Sequence, residues 1–228
     1  MAKQDEEFDG FMTRDGELIS IRDTDRLSAI FLRTSDVETA VATLWQLATE
    51  CLGSGYYEAA CKYIEKILPL VDTPIEKAEC FLRMGTALEN MREFAAAEEM
   101  YSQAFDLPQE PSSTWYFLNN NRAFCLNQVG LHEKAEKYCR AAIQIEPNWH
   151  NAHKNLGVAL AQLGRLEEAA QTLIRATKLC PEDPRALSHL DELFAAHREI
   201  AEQVPDFPAH LHACHELVQN AHGDLSVQ

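Results

Sequence analysis

The chain has 228 residues, 46% of them apolar and 25% charged, which fits one globular domain or two small ones and excludes a disordered or collagen-like chain. Its net charge is −16, from 36 acidic against 20 basic side chains, which disfavours nucleic-acid binding, because Lys and Arg contacts to phosphate supply most of that affinity. No apolar run approaches the ~20 residues that cross a bilayer, the acidic start MAKQDEEFDG lacks the basic and apolar regions of a secretory signal, and seven scattered cysteines without a C-x-x-C pair suit reduced thiols. The expectation is a cytoplasmic protein with no nucleic-acid partner and no membrane insertion.

In chain order, residues 1–35 read as an N-terminal arm. Within it, 11–21 suits a small β-hairpin around Asp15-Gly16, and 25–34 suits a short helix with Leu27, Ile30 and Phe31 on one side. Ser35-Asp36-Val37-Glu38 has the spacing of a capping box, which starts a helix near Asp36.

From there the chain repeats itself with a period of 34 residues. Asn155-Leu156-Gly157, Leu160, Gly164, Ala169, Leu173, Ala176 and Pro181 fall in register with Asn121-Arg122-Ala123, Leu126, Gly130, Ala135, Cys139, Ala142 and Pro147. Earlier units keep the pattern less fully, with Met84-Gly85, Ala97, Tyr101 and Ala104 in one and Leu47-Ala48, Gly55, Ala60 and Ile64 in the other. The units run over 41–74, 78–111, 116–149 and 150–183, with 75–77 and 112–115 read as polar joints between them. Apolar or small residues at unit positions 4, 7, 8 and 11, then at 20, 24 and 27, put one stripe on each of two helices. Gly55, Gly130 and Gly164 sit where the first helix must end in a left-handed residue. One such hairpin cannot bury its stripes alone, and stacking its neighbours does so.

This period and these landmarks resemble the tetratricopeptide repeat family over 41–183. The resemblance implies an all-α, right-handed solenoid of about four helix hairpins, residues 36–203, in which 184–203 serve as a cap. Val204-Pro205-Asp206-Phe207-Pro208 interrupts the chain, and 204–228 form a C-terminal helix and tail.

The resemblance also implies that first-helix positions 2, 5, 6, 9, 12 and 13 line a concave groove. The residues singled out there are Arg83, Asn120, Asn121, Phe124, Asn127, Gln128, Asn151, Lys154, Asn155 and Arg185. Carboxamides dominate, and each offers an acceptor and two donors that match the C=O and N–H of an extended peptide. In family members that grip extended peptides, asparagine at the sixth position, here Asn121 and Asn155, holds the ligand backbone. Phe117, Phe124 and Trp45 would supply apolar anchoring, and Lys154, Arg83 and Arg185 would meet carboxylates. The family's carboxylate clamp fits less well, since Asn151 and Asn155 stand where it has basic residues.

No phosphate loop or nucleophile elbow occurs, so neither an enzyme nor a cofactor is expected. The functional expectation is a non-catalytic, chaperone-like scaffold whose partner is a protein or peptide segment. Two alternatives stand beside it. One is a homo-oligomer assembled through the N-terminal arm or the C-terminal helix. The other is a metal-binding or redox protein using His210, His212, Cys214 and His215, although that spacing matches no established zinc motif.

Overall fold

The computed structural model describes residues 10–12, 18–20, 37–109 and 111–223. The expected helix over 25–34 and the cap at Ser35 and Asp36 lie outside them. The chain divides into two compact units, 1–73 and 74–228.

In the first unit, β1 (Gly10–Met12) pairs antiparallel with β2 (Leu18–Ser20), Phe11 standing opposite Ile19. Two helices follow, α1 (Val37–Gly53) and α2 (Tyr57–Ile67), the second running into a 3-10 turn at Leu68–Leu70. Ala48, Ala60, Ile64 and Ile67 are wholly buried in this hairpin. The Tyr63 hydroxyl is buried with no partner among the described residues, and burial pushes it up to about 12.

The second unit begins with α3 (Pro74–Asn90) and α4 (Phe94–Ala104), then α5 (Ser113–Gln128) and α6 (His132–Ile145). Next come α7 (His150–Gln162), α8 (Leu166–Leu179) and α9 (Arg185–Ala196). A short α10 (Ile200–Gln203) and a long α11 (Phe207–Gly223) complete it. Helices pack pairwise within each hairpin and each first helix touches the next, α3 on α5, α5 on α7 and α7 on α9. The fold is all-α and is that of a tetratricopeptide solenoid.

Of the residues read as polar joints, 75–77 and 113–115 are helical. Positions 75–77 form the first turn of α3, because Pro74 has no N–H to leave unpaired at a helix start. Likewise α5 starts at Ser113, where the Ser112 hydroxyl accepts from the Trp115 N–H at 3.5 Å. The insertions lengthen first helices and leave the 34-residue packing register unchanged.

That register follows from residue size. Position 20 is Ala60, Ala97, Ala135 and Ala169, and all four are fully buried, as are Ala104, Ala142 and Ala176 at position 27. Small residues let the two helices of a hairpin close on one another. At Gly157 a Cβ would fall 2.5 Å from Leu173 Cγ, and at Gly85 it would enter the Tyr101 ring. The turns repeat too: the N–H of Tyr56, Glu93, Leu131 and Arg165 each reaches back five residues to a carbonyl of the preceding helix, the bond of a Schellman ending. Gly55, Gly130 and Gly164 carry the positive φ this needs, at 80°, 77° and 74°. Arg92 takes the same role in the second repeat at φ 64°.

At the C-terminal end, α11 packs on α8. Phe207 and Cys214 are wholly buried in one cluster with Leu173, Leu190 and Ile200, and Leu211 and Val218 lie against it. The segment after the Val204–Pro208 interruption therefore completes the core that α7, α8 and α9 begin.

Candidate functional site

The first-helix positions of the third and fourth repeats are asparagine-rich, and α5 and α7 lie side by side. Four of the asparagines join in one hydrogen-bonded chain. Asn120 Nδ2 donates to Asn121 Oδ1 at 2.9 Å, and Asn155 Nδ2 donates to Asn120 Oδ1 at 3.0 Å. About two turns further along α5, Asn127 Nδ2 donates to the Asn155 carbonyl at 2.9 Å, while its Oδ1 lies 3.1 Å from His132 Nδ1.

Burial is uneven along this chain. Asn120, Asn127 and Asn155 are buried and Asn121 is half-buried. Both groups of Asn127 are engaged inside the fold, so its amide fixes α5 against α7. Asn121 spends its oxygen on Asn120 and Asn155 spends its nitrogen. What remains without a partner among the described residues is a donor on Asn121 and an acceptor on Asn155.

The other residues singled out from the sequence are placed differently. Phe124 packs edge-on against Phe94 of α4, with ring centroids 5.7 Å apart, so its face serves the contact between repeats. Gln128 is exposed at the end of α5. The Arg83 Nε donates to Glu79 Oε1 at 2.7 Å.

Arg185, at the start of α9, is held by Asp183. Its Nη2 donates to Asp183 Oδ2 at 2.6 Å, and its backbone N–H donates to Oδ1 at 3.1 Å. His150 Nε2 lies 2.9 Å from the same Oδ2. Arg185 above all, with His150, holds the Asp183 carboxyl well below the usual carboxylate range. Lys154, one turn into α7, is buried with its Nζ donating to Asn151 Oδ1 at 3.3 Å. Burial, aided by the nearby Arg185 charge, pushes this ammonium down to about 8, against the pull of Asp183.

Beside this polar face Phe117, one of the expected apolar anchors, meets Trp149, which the groove positions did not include. Phe117 and Trp149 lie with ring centroids 5.3 Å apart, tilted by 43°, and remain 39% and 36% exposed. Tyr116, fully buried behind both, places its ring 5.3 Å from Phe117 and 4.5 Å from Trp149. The Tyr116 hydroxyl accepts from the Ala152 N–H at 3.3 Å and so pins the shelf to the start of α7. Trp149 escaped the sequence reading because it precedes α7 and so lies outside the first-helix groove positions.

The histidines near the C terminus are taken up separately. His215 Nε2 lies 2.9 Å from Asp191 on α9, His212 pairs with Glu216 at 3.3 Å, and Cys214 is in the core. His212 and His215 share a helix face as i, i+3 neighbours, but each is paired with a different carboxylate, so the segment does not converge on one ion. Among the described residues no three His, Cys, Asp or Glu side chains gather in a metal-binding group. Two second-helix glutamates are engaged across repeats: Arg140 donates to Glu136 and Glu168, and Arg165 bridges the same two carboxylates. Among the described residues, no helix is long and apolar enough to cross a membrane.

Residues 126–193 match the family model of the tetratricopeptide repeat. Small glutamine-rich tetratricopeptide repeat-containing protein 2 of Mycosarcoma maydis is 32% identical over 110 residues, 48% of this chain and 30% of that protein. Photosystem I assembly protein Ycf3 of Acaryochloris marina is 30% identical over 122 residues, 54% of this chain and 72% of that protein. Among solved structures, MamA (residues 41 to the end) from Desulfovibrio magneticus RS-1 superposes with a TM-score of 0.63 over 79% of this chain and 96% of that one. At 20% identity, that likeness speaks to the fold. The chain spans less than a third of the length of the first curated relatives it matches. On its 34-residue register, its hairpin packing and these matches, the chain belongs to the tetratricopeptide repeat family.

Proposed function

We propose that this protein-interaction scaffold holds an extended segment of a partner protein along the first-helix face of its third and fourth repeats, and that it works by binding rather than by catalysis. The observation that carries the reading is the asymmetry of the amide chain. Asn121 keeps a donor and Asn155 keeps an acceptor, a pair complementary to the C=O and N–H of an extended backbone. Because each amide is already fixed by a neighbour, little rotamer entropy is lost when a guest arrives. The name of Ycf3, an assembly protein, suits a chain that acts by holding other proteins.

The test compares affinity capture by the wild-type chain, Asn121→Ala and, as an outer-face control, Glu133→Ala. Thermal melts verify that all three are folded. Asn121→Ala should lose the captured proteins while Glu133→Ala retains them. An unchanged set with Asn121→Ala would remove the amide chain from the binding face.

A further inference from the structure

Three cations were candidates to meet a guest's acidic groups, and two are already committed. Arg83 is bonded to Glu79 and Arg185 to Asp183. Lys154 differs. It is only 8% exposed, and the partner its Nζ finds among the described residues is the neutral Asn151 amide. Covering an ammonium against a neutral partner is costly, and a carboxylate brought to it relieves that cost. The surroundings favour such a visitor, because residues 116–183 carry 7 acids and 8 bases within a chain of net charge −16.

Geometry says what else the visitor carries. The exposed shelf of Phe117 and Trp149 lies at the start of α7, and Trp149 precedes Lys154 by five residues. A helix rises 1.5 Å per residue, so the Trp149 and Lys154 backbone positions are roughly 7–8 Å apart along α7. Phe117 and Lys154 hold groove positions 2 and 5 of adjacent repeats, whose first helices, α5 and α7, pack side by side. In an extended peptide, side chains two positions apart point the same way at about 7 Å. We infer that Lys154 and the Phe117–Trp149 shelf form a two-point site for a partner segment carrying an acidic side chain two residues from an aromatic one. A glutamate suits it better than a chain terminus, since its two methylenes reach a recessed Nζ without burying main-chain amides. The inference rests on the groove reading above.

Four capped peptides test it: acetyl-Phe-Ala-Glu-amide, acetyl-Glu-Ala-Phe-amide and the glutamine counterpart of each. Binding is followed through the Trp149 indole N–H in NMR titrations, with acetyl-Phe-Ala bearing a free C terminus as a fifth probe. At least one glutamate peptide should bind about tenfold more tightly than its glutamine twin, the gain of a charge-assisted bond over a neutral one. Lys154→Met and Lys154→Gln should erase that preference and leave the Trp149 response in place. Equal affinity of glutamate and glutamine peptides, an unchanged preference in the Lys154 variants, or tighter binding of the free C terminus would overturn the assignment. The two readings separate cleanly. A glutamate preference retained at unchanged affinity in Asn121→Ala sinks the amide reading and leaves Lys154 standing. Binding that needs Asn121 but ignores the glutamate does the reverse.

Discussion

Tyr101 donates its hydroxyl proton to Glu89 Oε1 at 2.7 Å, and the Cys125 thiol approaches the same oxygen at 3.6 Å. This carboxylate ties α4 and α5 to α3, and its environment works against its charge. Burial pushes the Glu89 carboxyl up to about 7, although the Tyr101 and Cys125 donors pull it back. An unfolded glutamate titrates near 4.3. The folded value is the higher one, so this group's contribution to stability is whole below about pH 4.3 and is lost as pH rises through 7. Glu89→Gln keeps an acceptor for Tyr101 without the charge. It should raise stability at pH 8 by on the order of 1–3 kcal/mol and change little at pH 4.5, as read from melts at the two pH values.

Arg92 occupies the turn position that Gly55, Gly130 and Gly164 fill elsewhere, at φ 64°. The backbone bonds there are intact: Arg92 N–H to the Glu89 carbonyl at 2.9 Å and Glu93 N–H to the Leu88 carbonyl at 2.9 Å. The side chain thus bears the left-handed strain with no lost bond to explain it. Arg92→Gly should stabilise the fold by about 0.5–1 kcal/mol, and Gly130→Ala should cost a similar amount. Chemical denaturation of the two variants measures both.

Gly157 and Gly85 mark where paired helices come closest. An added methyl at Gly157 meets Leu173 at 2.5 Å, and at Gly85 it meets the Tyr101 ring. Leu173 can move its side chain more readily than a buried aromatic ring can. Gly157→Ala should cost about 1–2 kcal/mol and Gly85→Ala about 2–3 kcal/mol, seen as lower denaturation midpoints. Equal stability to wild type would mean that the helices separate without penalty.

Asn127 separates an architectural role from a binding one. Its donor to the Asn155 carbonyl and its acceptor facing His132 are both internal. Asn127→Ala should therefore lower stability by about 1–3 kcal/mol, the cost of unmaking buried hydrogen bonds. Partner capture at a temperature where the variant is folded should match that of wild type.

What the sequence determined by itself was the repeat. A 34-residue recurrence of small residues at positions 8 and 20 and glycine at 15 dictates hairpin, turn and stacking together, since each follows from local size and backbone freedom. Ala60, Ala97, Ala135 and Ala169 can be placed in the core from their spacing alone. Two local features escaped that reading. A proline at position 74 and a serine cap at 112 begin helices that take in what looked like joints, and Arg92 occupies a glycine's conformation.

The tertiary structure alone decided which polar side chains remain available. Asn121 and Asn155 are equivalent in register, yet Asn155 is buried through its bond to Asn120 while Asn121 stays half open. Arg83, Lys154 and Arg185 carry the same formal charge, but only the middle one lacks a carboxylate partner among the described residues. These distinctions depend on hydrogen bonds between residues about 35 positions apart or on the packing around one turn. Periodicity reports which face a residue lies on, while availability depends on what the neighbouring repeat has already bonded.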